Sequence, residues 1–212
     1  MSKTLRQSAQ PVVAAFDFDG TLTRRDSFLP FLARAVGEFQ LRRAMVVLSP
    51  MLMRFALGKI PNWQAKQTLI TYLLRGWTEE KLNEVAQSFA RENIPLLLRP
   101  EAVERLRWHQ KQGHQLILIS ASLEAYLIPW AQTMGFTKVL ATQLEIEDGV
   151  VTGRLLGKNC YGPEKVERLK GFLGDLSGYC LYAYGDTKGD RELIAAAKYG
   201  YYRTFEELVK PY

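Results

Sequence analysis

Val12-Val13-Ala14-Ala15-Phe16-Asp17-Phe18-Asp19-Gly20-Thr21 decides the fold: a short apolar run stops abruptly at two carboxylates two residues apart, followed by Gly and Thr. A continuous apolar run of this length predicts a buried strand. Side chains at i and i+2 of a strand share a face, so Asp17 and Asp19 are expected to point into one crevice at the carboxyl end of a sheet. That is where open α/β sheets bind ligands. Burying two neighbouring acids is costly unless a divalent cation or a phosphate site engages their charge. The competing reading is an acidic loop after an edge strand.

Three further polar groups follow at strand ends or helix starts. Ser120 closes a second apolar run, Gln115-Leu116-Ile117-Leu118-Ile119, and Ala121-Ser122 are read as opening a helix. A hydroxyl and free backbone N–H groups there suit a phosphate oxygen, but Ser after a strand also serves as a plain helix start. Lys165 lies in Gly162-Pro163-Glu164-Lys165-Val166, with Pro163 at a first helical position. The helix dipole disfavours a cation there, so Lys165 either points into water or faces an anion. In Tyr184-Gly185-Asp186-Thr187-Lys188-Gly189-Asp190 a strand and a glycine bend are followed by two carboxylates four apart. Asp190 either caps the following helix or joins the site; Asp186, at the strand end, has less reason to be a cap.

The segments beginning at Asp17, Ser120, Lys165 and Asp186 resemble, in order, the four motifs of the haloacid dehalogenase-like hydrolases, and the resemblance covers nearly the whole chain. Asp17-Phe18-Asp19-Gly20-Thr21-Leu22-Thr23 is similar to the first motif of the phosphatases in that superfamily. Leu144 to Arg154, with Asn159-Cys160-Tyr161-Gly162 and Lys165 after it, resembles subfamily IB, the subgroup that contains phosphoserine phosphatase and phosphatidylglycerophosphatase C. One departure stands out: Gly189 occupies a position where phosphoserine phosphatases usually carry a phosphate-binding Asn.

The resemblance implies an α/β fold, a Rossmann-like doubly wound parallel-sheet core with an inserted α-helical cap of the C1 type. It also implies a Mg²⁺-dependent phosphomonoester phosphatase working through an aspartyl-phosphate. Asp17 is then the nucleophile and Asp19 the general acid and base. Ser120 and Lys165 bind the equatorial oxygens, with Gly20, Thr21, Ala121 and Ser122 around the substrate. Mg²⁺ is expected between Asp17, the backbone carbonyl of Asp19, Asp186 and the phosphate, with Asp190 orienting metal waters or Lys165 from behind. Asp26 stands where phosphoserine phosphatases carry an acid that reads the substrate amine; as the residue before Ser27 it also serves as a helix cap, the preferred reading. With two histidines and two dispersed cysteines, neither a zinc cluster nor a disulfide framework is expected.

Helical periodicity replaces strand patterning after Thr23. Expected helices run over 27–36, 38–57 with a break near Pro50, 62–74 and 79–94, so residues 24–98 form the cap, and 1–23 with 99–212 the core. A core helix over 101–112 follows Pro100, another ends near Gly135, a strand lies near Val139, Asp148-Gly149 makes a hairpin turn, and a short helix runs over 191–197. Tyr201-Tyr202-Arg203-Thr204 makes an unusually aromatic and basic terminal core strand.

The chain has 212 residues, 47% of them hydrophobic and 24% charged, enough for one sizeable core and a small accessory domain. A polar N-terminus without an apolar signal and few cysteines predict a cytoplasmic protein. The net charge of +6 favours anionic partners. A phosphate-ester substrate is expected, with the inner membrane face as a peripheral contact, and no nucleic acid or obligate protein partner. Between Ala44 and Leu57 eleven of fourteen residues are apolar, flanked or punctuated by Arg42, Arg43, Arg54 and Lys59. Such a helix, about 21 Å long, is too short to span a bilayer. Either it lies in a membrane interface, as a phosphatidylglycerophosphate-type lipid substrate requires, or it is a Met-rich helix packed inside the cap, the preferred reading. A small amino-alcohol phosphate such as phosphoserine is the second substrate class. A catalytically idle binding module or lipid-surface adaptor is the alternative outside enzymes.

Overall fold

The computed structural model describes residues 10–205. Its strands are β1 (Val12–Phe16), β2 (Gln115–Leu123), β3 (Lys138–Glu147), β4 (Val150–Leu156), β5 (Cys180–Gly185) and β6 (Tyr199–Tyr202). Between β1 and β2 stand the helices α1 (Phe28–Val36), α2 (Glu38–Val47), α3 (Ser49–Ala56), α4 (Asn62–Leu74), α5 (Glu79–Glu92), α6 (Ile94–Leu97) and α7 (Pro100–Lys111). The later helices are α8 (Glu124–Thr133), α9 (Pro163–Leu173) and α10 (Arg191–Ala196).

The strands form one sheet in the order β4-β3-β2-β1-β5-β6, parallel except for β4. β1 lies at its middle, flanked by β2 and β5, and Val13 to Phe16 are fully buried. A strand covered on both faces reads as a continuous apolar run rather than an alternating one. The order reverses at β1, so the crevice at its carboxyl end lies at the switch point of the sheet. The fold is therefore the expected α/β core with a helical insert. The insert leaves and returns at one place: Thr23 and Leu98 form an antiparallel bridge, and the Arg99 amide donates to Leu22 O at 2.9 Å.

Local boundaries differ from the sequence reading in two places, after Ser120 and near Ile94. β2 continues through Ala121 and Ser122 to Leu123, with a register irregularity after Ser120, and α8 starts only at Glu124. The irregularity re-aims the side chains after Ser120, so the helix start expected at Ala121-Ser122 is instead the end of a strand. The break expected near Pro50 in the helix over 38–57 is present: α2 and α3 part at Leu48, two residues before Pro50, because Pro50 sets a new first turn. The helix expected to reach Ile94 ends at Glu92, and the separate α6 carries Pro95 in its first turn. The Asp148-Gly149 hairpin is present, with φ of 50° and 74° as its turn type demands. That hairpin reaches up to the insert: Thr71 Oγ1 donates to Gly153 O at 2.6 Å, and Trp77 O accepts from the Val151 amide at 2.8 Å.

The aromatic residues of β6 have a packing role. Tyr184 of β5 stacks on Phe16 at 4.4 Å and on Tyr201 at 4.7 Å. The Tyr184 hydroxyl accepts from Arg105 Nε at 2.7 Å and lies 2.9 Å from Nε2 of the buried His109, whose Nδ1 faces His114 Nδ1 at 2.7 Å. Burial, with the Arg105 cation and His114 adding to it, lowers His109 to about 3; burial and Arg105 also lower His114. The unfolded chain takes up these protons below the ordinary value of 6.5 and the folded chain does not, so this cluster contributes stability above that pH and loses it as pH falls. His109→Gln removes one such titration. The variant is expected to melt below wild type at about pH 7, with the gap narrowing toward about pH 5. A gap constant with pH would contradict the neutral, buried assignment.

Candidate active site

Asp17 follows β1 directly, with extended backbone, and the chain then makes one wide turn through Phe18–Leu22. Gly20 sits in that turn at φ 80°, and a Cβ there would run into the Asp186 carboxylate. Only glycine allows the turn and the acid at the end of β5 to approach this closely. Thr21 links the two strand ends: its hydroxyl lies 3.2 Å from Asp17 Oδ2 and 3.2 Å from Asp186 Oδ1, and donates to either.

Lys165 is not in water. Pro163 starts α9 two residues earlier, and the Lys165 side chain is 2% exposed, with Nζ 2.5 Å from Asp17 Oδ1 and 2.5 Å from Asp190 Oδ1. The two acids hold the lysine above its ordinary value despite burial. Burial pushes Asp17 up to about 7; Lys165 pulls it down, and Asp190 and Asp19 add to the upward push. Asp190 is buried, yet Lys165 and Thr187 keep it below the usual carboxylate range. Its Oδ2 accepts from the amides of Asp186 and Thr187 at 3.2 and 2.9 Å and from Thr187 Oγ1 at 2.8 Å. It therefore ties the loop after β5 to Lys165, and it makes no side-chain cap of α10. Gly185 has no side chain to collide with Asp190, which a Cβ there would do.

Asp19 points away from this group. Its Oδ1 accepts from the Ser27 amide at 2.8 Å, and its Oδ2 accepts from the Ser122 hydroxyl. Burial, then the Asp26 charge, pushes it up to about 6, against the two hydrogen bonds. Ser120 is buried, its Oγ accepting from the Ser122 amide at 3.0 Å. Asp26 accepts from the Phe28 amide at 2.9 Å, a helix-start contact, and its carboxylate also lines the cavity described next.

Asp17, Asp19, Asp26, Ser120, Ala121, Ser122 and Lys165 line one cavity of about 520 Å³ between the sheet edge and the helical insert. Gly20 and Thr21 line a separate small cavity with Asp186 and Arg99. Carboxylate oxygens of Asp17, Asp186 and Asp190 lie within 4.8 Å of one another. Three hard oxygen donors suit a cation such as Mg²⁺. Asp190 has both oxygens engaged, by Lys165 and by the loop after β5, whereas Asp17 gives Lys165 only Oδ1 and shares the Thr21 hydroxyl with Asp186, so Asp17 and Asp186 are the side chains better placed to hold one. The Asp19 side chain lies outside this triad.

Among the lining residues that escaped the sequence reading, two bear on the chemistry. Lys66 of α4 reaches from the insert, its Nζ donating to Ala121 O at 2.7 Å; burial lowers it, with Asp19 and Asp26 opposing. A lone lysine within an amphipathic helix carries no signal of this. Tyr161 packs its ring where a Cβ on Gly189 would stand, so Tyr161 and a side chain at 189 exclude one another. The only hint in the sequence was the glycine itself.

The model of the haloacid dehalogenase-like hydrolase family matches residues 14–195. Protein CicA of Caulobacter vibrioides is 34% identical over 197 residues, covering 92% of this chain and 87% of CicA. A probable phosphatase of Mycobacterium tuberculosis, Rv3661, is 29% identical over 86% of this chain and 65% of its own length. The crystal structure of a Bordetella pertussis protein of unknown function superposes with a TM-score of 0.76 at 27% identity, covering 89% of this chain and 87% of that one. With a catalytic-type cluster at the switch point of its sheet and a family match over most of its length, the chain belongs to the haloacid dehalogenase-like hydrolases.

Proposed function

We propose that the protein hydrolyses phosphomonoesters with Mg²⁺ through an aspartyl-phosphate on Asp17, and that its substrate carries an apolar leaving group, as a phosphatidylglycerophosphate-type lipid does. The observation that carries the substrate class is the wall of the cavity: opposite Asp17 and Lys165 stand Phe28, Leu29, Met45, Leu52, Phe55 and Leu69. A small, fully polar leaving group would leave that wall wet, whereas an acyl or ring-bearing one removes it from water.

In the first half-reaction Asp17 Oδ attacks phosphorus, the ester P–O bond breaks, and the proton of Asp19 goes to the departing alkoxide. In the second, Asp19 takes a proton from water, the water oxygen bonds to phosphorus, and the bond to Asp17 breaks, releasing phosphate. An acid held near 6 suits both tasks. Ser120 and Lys165 receive the phosphoryl oxygens, and Lys165 lets an anionic nucleophile meet an anionic substrate. A bound Mg²⁺, held by Asp17, Asp186 and the Asp19 carbonyl, would offset developing charge on those oxygens.

A small amino-alcohol phosphate is the second reading, favoured by Asp26 lying on the cavity beside Lys66. Phosphate release is measured with Mg²⁺ from a lipid phosphomonoester in detergent, from phosphoserine and from p-nitrophenyl phosphate. Preference for the lipid by about tenfold or more in kcat/KM supports the apolar assignment; preference for phosphoserine transfers it to the second reading. Mg²⁺ at saturation is expected to raise the melting temperature by about 5 °C or more over the chelated protein, because it relieves repulsion among the clustered acids. No shift would count against the metal site.

A further inference from the structure

The preferred sequence reading, that residues 44–57 pack inside the cap, fails for much of the segment: α3 buries none of its residues. Phe39, Val46, Met53 and Leu57 are 77%, 73%, 63% and 63% exposed, and Val47 and Trp63 are also exposed. Such a concentration of exposed large apolar side chains within one short stretch of chain, residues 39–63, points to an interaction site. Its charge is one-sided. Between Glu38 and Glu79 the chain has no Asp or Glu, while Arg42, Arg43, Arg54, Lys59 and Arg75 fall in that interval, and Lys66, also within it, is turned into the cavity. The same two helices also face inward, since Met45, Leu52 and Phe55 belong to the apolar wall of the catalytic cavity.

We propose that α2 and α3 form a docking surface for an anionic lipid bilayer, with the mouth of the cavity held at headgroup level. Apolar side chains interleaved with arginines, with Glu38 at the start of α2 and 3.8 Å from Arg42 as the one carboxylate on the two helices, are the composition of a helix lying in a membrane interface. A docking face for a folded protein ordinarily mixes both signs and depletes charge at its centre. No helix among the described residues is long and apolar enough to cross a membrane, so contact is peripheral. The inference rests on the phosphatase reading for its purpose: a lipid phosphomonoester would pass from the bilayer along α3 into the cavity without exposing its acyl part to water.

The test is sedimentation of the Mg²⁺-loaded protein with vesicles of phosphatidylcholine, with and without phosphatidylglycerol, alongside hydrolysis of soluble p-nitrophenyl phosphate. Wild type is expected to bind the anionic vesicles about tenfold more than the neutral ones, and less as salt rises. The triple variant Val46→Gln, Met53→Gln, Leu57→Gln should lose about tenfold in vesicle binding. Arg42→Gln with Arg43→Gln and Arg54→Gln should lose the preference for anionic lipid. Both variants should keep wild-type turnover of the soluble ester. Hydrolysis without vesicle binding overturns the docking surface and spares the phosphatase reading; vesicle binding without hydrolysis does the reverse. Variants that bind like wild type, or a wild-type dimer that the apolar triple variant converts to monomer, also overturn it, the second by showing that another copy covers the face.

Discussion

Asp17→Asn is expected to lower phosphate release by about 10⁴-fold or more, on every substrate the wild type accepts. The amide is nearly isosteric, so the strand end and the cavity keep their shape, but it has no lone pair basic enough to attack phosphorus. The loss should fall on kcat for lipid and soluble esters alike, because the nucleophile is common to both. Asp19→Asn should behave differently. It spares the nucleophile and removes the proton donor, so it should harm substrates with poor leaving groups, such as alkyl esters, more than p-nitrophenyl phosphate, whose phenolate leaves without help. Equal losses on the two substrates would contradict the acid role of Asp19.

The second large effect belongs to Lys165→Met. Lys165 is buried between two carboxylates at 2.5 Å each, and its removal leaves Asp17 and Asp190 facing one another without a cation. Breaking such a buried arrangement by removing one partner costs about 3 kcal/mol or more. In the chelated protein the melting temperature should fall by about 6 °C or more, and turnover with Mg²⁺ should drop about 10²- to 10³-fold. The stability cost should shrink when Asp17→Asn is added, because one of the two stranded charges is gone; the double-mutant cycle reads that coupling. Additive losses would mean that the lysine acts on something other than this pair.

The parts of the fold that were legible in the sequence are those set by burial. β1, β2 and β5 are apolar runs because both faces of a central parallel strand are covered, and the acids and Ser120 at their ends stand out against that background. α4, read as 62–74, matches to the residue, for its ends are marked by Pro61 before it and Gly76 after it. What was not legible depends on side-chain direction. Lys165 at a helix start stays open between water and an anion until Asp17 and Asp190 are brought to it from elements far away in sequence. Asp190 stays open between a cap and the site until its oxygens are found bonded backward to Thr187 and across to Lys165. Lys66 and Tyr161 enter the cavity from elements whose patterns carry no chemical signal. For α3 the composition was visible but not its exposure, since an apolar segment is equally suited to a core and to an interface.

The most direct test of the mechanism is to quench the Mg²⁺-loaded enzyme with acid during turnover and map any protein-bound phosphoryl group by peptide mass spectrometry. The account predicts a phosphoryl group on Asp17, absent from Asp17→Asn and lost on alkaline treatment as an acyl phosphate should be. Phosphate on Ser120 or another residue, or an Asp17→Asn variant that still turns over, would contradict it.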